Sequence, residues 1–325
     1  MHTPTPEEIA LAFDLGVPRG ELVHVRRGDN DAWRLETSTG SYFVKGYFPA
    51  TGGQFNGEHL TDQLAVAMAF ERRALEAGVD MPEPISPTDP FLEWTVSIED
   101  RLFRVHRWIE HDNSDSNVAS WLGRTMLQVH QLEPLGRAGL PDWWRPSVRS
   151  PETWEGWFTK AHQQGAAWAD LSQAALPHIL AASARITELC ADVPDLVTTH
   201  GDFKTHNTVR SPSGPVLVDW DSVRTDSAAL EAGRVAYIFG AGRRDQVREI
   251  LDAYVAAGGD LGWAGPDLFL SVSRNQLQVL AEQIRAALGE EPAARWMGDP
   301  ATVEAAITGT LRDLPGRSDA LQKLL

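Results

Sequence analysis

The 325-residue chain predicts an α+β fold, in which a small antiparallel sheet with one companion helix is followed by a larger, mostly helical part. Three observations carry this. Strand-like runs separated by turn residues cluster at 22–46 and 91–108. From residue 118 onward apolar residues recur mainly at helical spacing. Among those helical stretches lies a hairpin signal, Thr208-Val209-Arg210 and Pro215 to Val218 around Ser211-Pro212-Ser213-Gly214, flanked by Asp, Asn and His residues.

An apolar content of 42% is enough for a proper core, and the length suits two lobes or one large domain with an insertion. No apolar run is long enough to span a bilayer, and Met1-His2-Thr3-Pro4-Thr5-Pro6 has no signal-peptide pattern. Cys190 is the only cysteine, so no intrachain disulfide is possible. A cytoplasmic monomer or homodimer with no membrane partner is expected. Basic residues number 29 against 45 acidic ones, a formal charge of −16. That balance argues against nucleic acid and suits a cationic small molecule, although acidic surfaces also serve solubility. His200 and His206 lack a third matching ligand, so no structural metal is expected.

Taken in order, Thr5 caps a short helix over Pro6 to Leu15, with Glu7 and Glu8 in its first turn. Leu22 to Arg26 and Ala32 to Thr37 read as strands joined by Arg27-Gly28-Asp29-Asn30-Asp31. Gly28 and the amides around Asn30 can approach phosphate, but the turn lacks a GxGxxG pattern and reads equally well as an ordinary hairpin. Thr39-Gly40 leads into a third strand, Ser41 to Gly46, which presents Lys45 near its end. A lysine on a strand is a rigidly placed point cation of the kind nucleotide α- and β-phosphates need. Pro49 to Gly57 is glycine-rich. Leu60 to Ala77 carries the apolar stripe Leu64, Ala67, Met68 and Leu75 and stops at Gly78. Met81 to Ile85 is an extended crossing, and Phe91 to Ile98 with Leu102 to Trp108 completes a five-stranded sheet.

Val118 to Leu132 reads as the next helix. Pro141 to Trp168 then holds Trp143, Trp144, Trp154, Trp157 and Trp168 beside several carboxylates. Such residues either recognise a sugar face or an organic cation, or pack an inserted helical subdomain. Leu176 to Cys190, Ala228 to Gly240, Gln246 to Ala257, Gly265 to Leu288 and Pro300 to Leu311 read as further helices, with Gly258-Gly259 as a stop.

The chemistry concentrates in Thr199-His200-Gly201-Asp202-Phe203-Lys204-Thr205-His206-Asn207 and in Val216-Leu217-Val218-Asp219-Trp220-Asp221. Phosphoryl transfer to a hydroxyl needs a carboxylate beside the attacking oxygen, and a carboxylate with an amide oxygen to hold Mg²⁺. A short loop can carry Asp202 and Asn207 together, and the hairpin returns Asp219 toward them. Singly, each residue has an ordinary use: Asp202 as a turn residue, His200 as a packed histidine, Asp219 or Asp221 on a solvated edge. In this order they read as a base, Asp202, and two metal ligands, Asn207 and Asp219.

His200-Gly201-Asp202-x-x-x-x-Asn207 followed by Val218-Asp219-Trp220-Asp221 resembles the catalytic signature of the aminoglycoside phosphotransferase family, small-molecule kinases of protein-kinase-like fold. The resemblance implies an N-lobe over 1–107, a hinge over 108–112 and a helical C-lobe over 113–325. It implies ATP, with GTP an alternative, and Mg²⁺ as cofactors. Lys204 would offset γ-phosphate charge, and Glu71 would ion-pair with Lys45, with Glu58 as its rival. Trp108, Ile109 and Glu110 would meet adenine. His130 resembles the structural histidine of the family's "LH-x-L" helix end, and Glu231 the acidic residue that anchors its helix near the catalytic loop. Asp221, Trp157, Glu231 and Glu282 are candidate substrate contacts. Gly201 departs from the Arg of regulated protein kinases, which argues against activation-loop control.

Three functions fit: a kinase for an antibiotic or similar amino-sugar natural product, a metabolic kinase for a sugar or choline-like amine, and a nucleotide-binding pseudokinase. The presence of Lys45, Asp202, Asn207 and Asp219 together disfavours the third. No Ala-Pro-Glu motif follows Asp219, which disfavours a protein kinase.

Overall fold

Alternation along the early strands builds a sheet with two different faces. In the computed structural model, which describes residues 3–27, 30–47, 60–99, 101–112, 117–189 and 191–325, the chain forms two compact units, Met1–Ser116 with His200–Val223 and Asn117–Thr199 with Arg224–Leu325. The segment from His200 to Val223, expected with the helical part, belongs to the unit that contains the sheet. Gly28, Glu58 and the glycine-rich stretch 49–57 lie outside the described residues.

The first unit opens with helix α1 (Pro6–Ala12), closed by a capping box in which the Glu8 N–H donates to Thr5 Oγ1 at 3.2 Å and the Thr5 N–H donates to the Glu8 carboxylate at 2.7 Å. It stops short of Leu15 because the backbone turns left-handed at Asp14, φ 50°. Strands β1 (Val23–Arg27), β2 (Asp31–Thr37) and β3 (Gly40–Gly46) follow, then helix α2 (Leu60–Glu76) and strands β4 (Pro84–Ile85), β5 (Thr95–Ile98) and β6 (Arg101–Arg107). The sheet order is β1-β2-β3-β6-β4 with β5 also on β6, all antiparallel. It has six strands among the described residues rather than five, because Pro84 and Ile85 of the expected crossing pair with His106 and Val105.

Successive side chains point to opposite faces. Trp33, Leu35, Tyr42, Val44, Phe103 and Val105 form one core cluster with Ile9, Phe13 and Leu15. Tyr47 belongs to a second cluster with Leu60, Leu64, Met68 and Trp94, on the face that α2 covers. Lys45 stands directly opposite Arg104 in the β3–β6 register, so two cations share the α2 face.

The second unit begins with α3 (Ala119–Gln131), β7 (Pro134–Ala138), α4 (Pro151–Gln164), α5 (Ser172–Leu189) and β8 (Val193–Thr199). After the first unit's hairpin, β9 (Thr208–Ser211) and β10 (Gly214–Leu217), it continues with β11 (Arg224–Ser227), α6 (Ala228–Phe239), α7 (Arg244–Ala257), α8 (Leu270–Ala287) and α9 (Pro300–Gln322). β7 and β11 flank β8 in a sheet that the apolar pattern does not announce: every residue of β7 is exposed. α3 and α7 approach closely at Gly123, where a Cβ would lie 2.4 Å from the Ala253 carbonyl carbon. α9 runs past Leu311 and through Pro315 because Leu314 and Leu321 continue the buried stripe of Val303, Ile307 and Leu311. The Trp-rich stretch is largely packing, with Trp144, Trp154 and Trp168 fully buried.

A buried polar network ties this unit together. Glu231 Oε2 meets His130 Nε2 at 3.0 Å and accepts the Thr199 hydroxyl, while Oε1 accepts from Arg234 at 2.6 Å. His130 Nδ1 meets the Tyr254 hydroxyl at 2.9 Å. Asp226 Oδ1 accepts from Trp144 Nε1 and the Ser227 N–H, whereas its Oδ2 has no hydrogen-bond partner. Burial, then the Glu231 charge, push the Asp226 carboxyl up from 3.8 to about 6. The native state therefore holds a proton that the unfolded chain releases nearer 3.8, and this site's contribution to stability falls as pH rises from about 4 to about 6. Asp226→Asn keeps the Oδ1 acceptor and removes the titration. Urea unfolding should show the variant gaining on the wild type across that window, by on the order of 2–3 kcal/mol, with a constant difference above it. A stability difference that does not change with pH would contradict this.

Candidate active site

The turn at Ser211-Pro212-Ser213-Gly214 closes β9 on β10 with Ser211 facing Gly214 and Thr208 facing Leu217. One step beyond the hairpin, the Val218 N–H donates to the Asn207 carbonyl at 2.9 Å. Asp219 thus leaves the ladder beside Asn207. It does so with φ 69° and ψ 62°, a left-handed conformation that costs a non-glycine residue roughly 1–3 kcal/mol.

Asp202 is gripped from within its own loop. Asn207 Nδ2 donates to the Asp202 carbonyl and to its Oδ2, both at 2.8 Å, and Lys204 Nζ lies 2.7 Å from the same Oδ2. With its nitrogen committed to Asp202, the Asn207 amide leaves its oxygen for another partner. Asp202 and Lys204 keep 30% and 38% of their side-chain surfaces, enough for access to a solute. His200 is buried, accepts the Asp202 N–H on Nδ1 at 3.3 Å and donates from Nε2 to the Val218 carbonyl at 3.1 Å. Its ring packs edge-on against Trp220, 4.8 Å between centroids. This histidine ties the loop to the strand leading into Asp219, the packing use expected of it.

Lys45 reaches the same turn. Its Nζ lies 2.5 Å from Asp219 Oδ1 and 2.5 Å from Asp221 Oδ2. Burial works against the ammonium, but Asp221 and then Asp219 outweigh it and hold its pKa well above the usual lysine value. The expected pair with Glu71 is absent. Both Glu71 oxygens are taken, Oε2 by Arg104 Nη2 and Oε1 by His106 Nε2 at 3.0 Å. The cause is register: Arg104 stands opposite Lys45, and its longer side chain reaches the α2 glutamate. Arg104, Tyr47 and His106 were not singled out from the sequence. The available signal was an alternating strand whose second face is cationic, Arg104 and His106, facing a helix with a buried Glu71.

Asp221, expected at the substrate, is buried instead. Tyr47 donates to both of its oxygens, at 3.0 and 2.9 Å, and Arg104 Nη1 donates to Oδ1 at 3.0 Å. Burial opposes its ionisation, yet Lys45 and Arg104 hold its carboxyl near 2. Glu231, another candidate contact, is fully buried in its network and acts as an anchor. Trp157 is mostly buried and donates to Glu290 at 3.0 Å, and Glu282 accepts from Gln278 at 2.5 Å. Trp143 already faces two of the chain's own guanidinium groups, those of Arg224 at 4.0 Å and Arg274 at 4.5 Å from the ring centroid.

Trp108, Ile109 and Glu110 follow β6 directly. The Trp108 N–H donates to the Ser41 carbonyl at 3.0 Å, and Arg34 stacks on its ring at 4.7 Å while donating to Glu110 at 3.1 Å. The Trp108 indole N–H is buried without a partner. Asn30 sits at the bend that opens β2. Among the described residues, no group of three His, Cys, Asp or Glu is placed to hold a metal.

The profile of the phosphotransferase enzyme family (APH) matches residues 25–269, a span that contains the sheet cations, the Asp202 loop and the Asp219 turn. The chain belongs to this phosphotransferase family. It is a small-molecule kinase. Solved structures agree on the fold. Spectinomycin phosphotransferase APH(9)-Ia, in complex with ADP and spectinomycin, is 13% identical with TM-score 0.62, over 95% of this chain and 99% of that one. An amicoumacin kinase in complex with AMP-PNP and Ca²⁺ is 11% identical with TM-score 0.65, over 96% and 92%. A microcompartment-associated aminopropanol kinase is 13% identical with TM-score 0.58, over 98% of each chain. No curated protein sequence matches this one. The fold of this kinase is therefore the protein-kinase-like one; among these relatives the spectinomycin phosphotransferase holds ADP, and the amicoumacin kinase AMP-PNP and Ca²⁺. Among its described residues no helix is long and apolar enough to cross a membrane.

Proposed function

We propose that this phosphotransferase moves the γ-phosphoryl group of ATP, with Mg²⁺, to a hydroxyl of an aminoglycoside-like or other amino-sugar natural product in the cytoplasm. The observation that carries the reading is the Asp202 carboxylate, fixed by Asn207 and Lys204 while the Asn207 main chain is bonded to the residue before Asp219. In this reading Asp202 orients the acceptor hydroxyl and accepts its proton. Lys204 offsets charge on the transferred group, and Lys45 holds the nucleotide phosphates. Trp108, Ile109 and Glu110 border the base.

Asn207 and Asp219 fit Mg²⁺ better than a metal that demands an all-protein cage. Two oxygen ligands leave the rest of the shell to phosphate and water, the arrangement Mg²⁺ favours. Held there by Asn207 and Asp219, the ion would neutralise charge on the nucleotide phosphates. EDTA is expected to abolish turnover and added Mg²⁺ to restore it. Turnover that persists in EDTA would count against the Asn207 and Asp219 assignment.

The charge of −16 supports a cationic acceptor. Trp143 is not its stacking platform, since Arg224 and Arg274 occupy that ring. A metabolic kinase for an amine or sugar is the second reading, because the aminopropanol kinase shares the fold over as much of the chain as the antibiotic kinases do. An ADP-release assay with aminoglycosides, other antibiotics, amino sugars, sugars and choline separates the two. Stimulation by amino-sugar antibiotics supports the first reading, and stimulation by simple amines or sugars alone supports the second. No ATP binding at all would defeat both.

A further inference from the structure

We propose that Asp221, through Tyr47 and Arg104, is the residue that positions Lys45 for the nucleotide, in the place that Glu71 was expected to fill. The inference rests on the reading that Lys45 holds phosphate.

Lys45 Nζ lies equally close to two carboxylates, but the two differ in kind. Asp219 keeps 37% of its side-chain surface, whereas Asp221 keeps 6%. Asp221 also receives both Tyr47 hydroxyl contacts and the Arg104 Nη1 bond, so it cannot swing without breaking a buried, charge-assisted network. An accessible carboxylate can exchange the ammonium for a metal ion. The buried one is left to keep the lysine in place. An ammonium has three donors. With one on Asp221 and one released from Asp219, two remain for phosphate oxygens.

Glu71 takes no direct part in this. Arg104 Nη2 and His106 Nε2 occupy both its oxygens, so it reaches Lys45 only through the chain Glu71–Arg104–Asp221. It fixes the guanidinium, the guanidinium fixes Asp221, and Asp221 fixes the lysine. Arg104 is 2% exposed and stacks 5.9 Å from the Trp94 ring, which leaves it little freedom to rearrange.

The test is a double-mutant cycle read by calorimetric titration of the full chain with ATP and Mg²⁺. The variants are Lys45→Ala, Asp221→Asn, Glu71→Gln and the double variants with Lys45→Ala. Asp221→Asn is expected to weaken ATP binding about tenfold in the presence of Lys45 and hardly at all in its absence, the signature of coupled residues. Glu71→Gln is expected to act more weakly. Because Asp221→Asn disturbs a buried network, Tyr47→Phe provides a second probe. It removes only the hydroxyl that holds Asp221, keeps every charge, and should reproduce the Lys45-dependent loss at about two- to fivefold. If Asp221→Asn and Tyr47→Phe weaken binding equally with and without Lys45, or if Glu71→Gln shows the stronger coupling, the proposal is overturned. If Lys45→Ala leaves ATP affinity unchanged, the phosphate reading of Lys45 fails first, and this inference falls with it.

Discussion

Asp202→Asn is expected to lower kcat by about 10²- to 10⁴-fold while ATP affinity stays near that of the wild type. The substitution is nearly isosteric. It preserves the main-chain acceptor for Asn207 Nδ2 and the Asp202 N–H bond to His200, so the loop keeps its shape. What it removes is the anionic oxygen that Lys204 and Asn207 now hold, the carboxylate placed to take a hydroxyl proton in this reading. The two effects separate cleanly. Calorimetry with ATP reports the nucleotide site, and acceptor-dependent ADP release reports the chemistry. A kcat within about threefold of wild type would remove Asp202 from the base role, because a positioned base contributes far more than that. Lys204→Ala should cost less than Asp202→Asn, since it withdraws charge compensation without withdrawing the proton acceptor.

Arg104→Met is expected to destabilise the sheet unit by roughly 3–5 kcal/mol, the cost of breaking a buried ion pair from one side. Arg104 is buried between Glu71 and Asp221 and bonds to both. Methionine restores much of the volume, so the loss measures stranded carboxylates rather than a cavity. His106 still serves Glu71, and Tyr47 and Lys45 still serve Asp221, which keeps the loss at the lower end of that range. Urea unfolding followed by near-UV circular dichroism would measure it. Arg104→Met combined with Glu71→Gln should recover part of the stability, because one of the two carboxylates that lose the guanidinium is then neutral. Midpoints equal to wild type in the single variant would mean that the network is solvated and contributes little.

The spacing of Asp202 and Asn207, the hairpin signal after them and the apolar run before Asp219 were legible in the sequence because all are local. A turn of that composition and two short strands allow few other outcomes, so the chain itself brings Val218 to Asn207. Lys45 at the end of a strand was legible for the same reason, as was Glu71 on its helix. Their partners were not. Whether Lys45 meets Glu71 or Asp221 depends on which residue of β6 stands opposite it, and Arg104 does so only because β3 and β6 pair in one register out of several. Strands β7 and β11 escaped notice because exposed or polar residues on a short edge leave no periodic signal. The sequence reads the last helix only to Leu311, whereas Leu314 and Leu321 take buried positions that only packing supplies.

The sequence by itself determined the family and singled out Asp202, Lys204, Asn207 and Asp219 as candidates, since these signals lie within a few residues of one another. The tertiary structure alone decided that Asp221 and Glu231 are interior anchors, that Trp143 is occupied by the chain's own arginines, and that Arg104 separates Glu71 from Lys45. The physical reason is that a charged side chain carries no mark of its eventual burial. Its partner comes from a distant segment, 174 and 176 residues away for the two carboxylates that hold Lys45, and only strand register and packing bring them within reach.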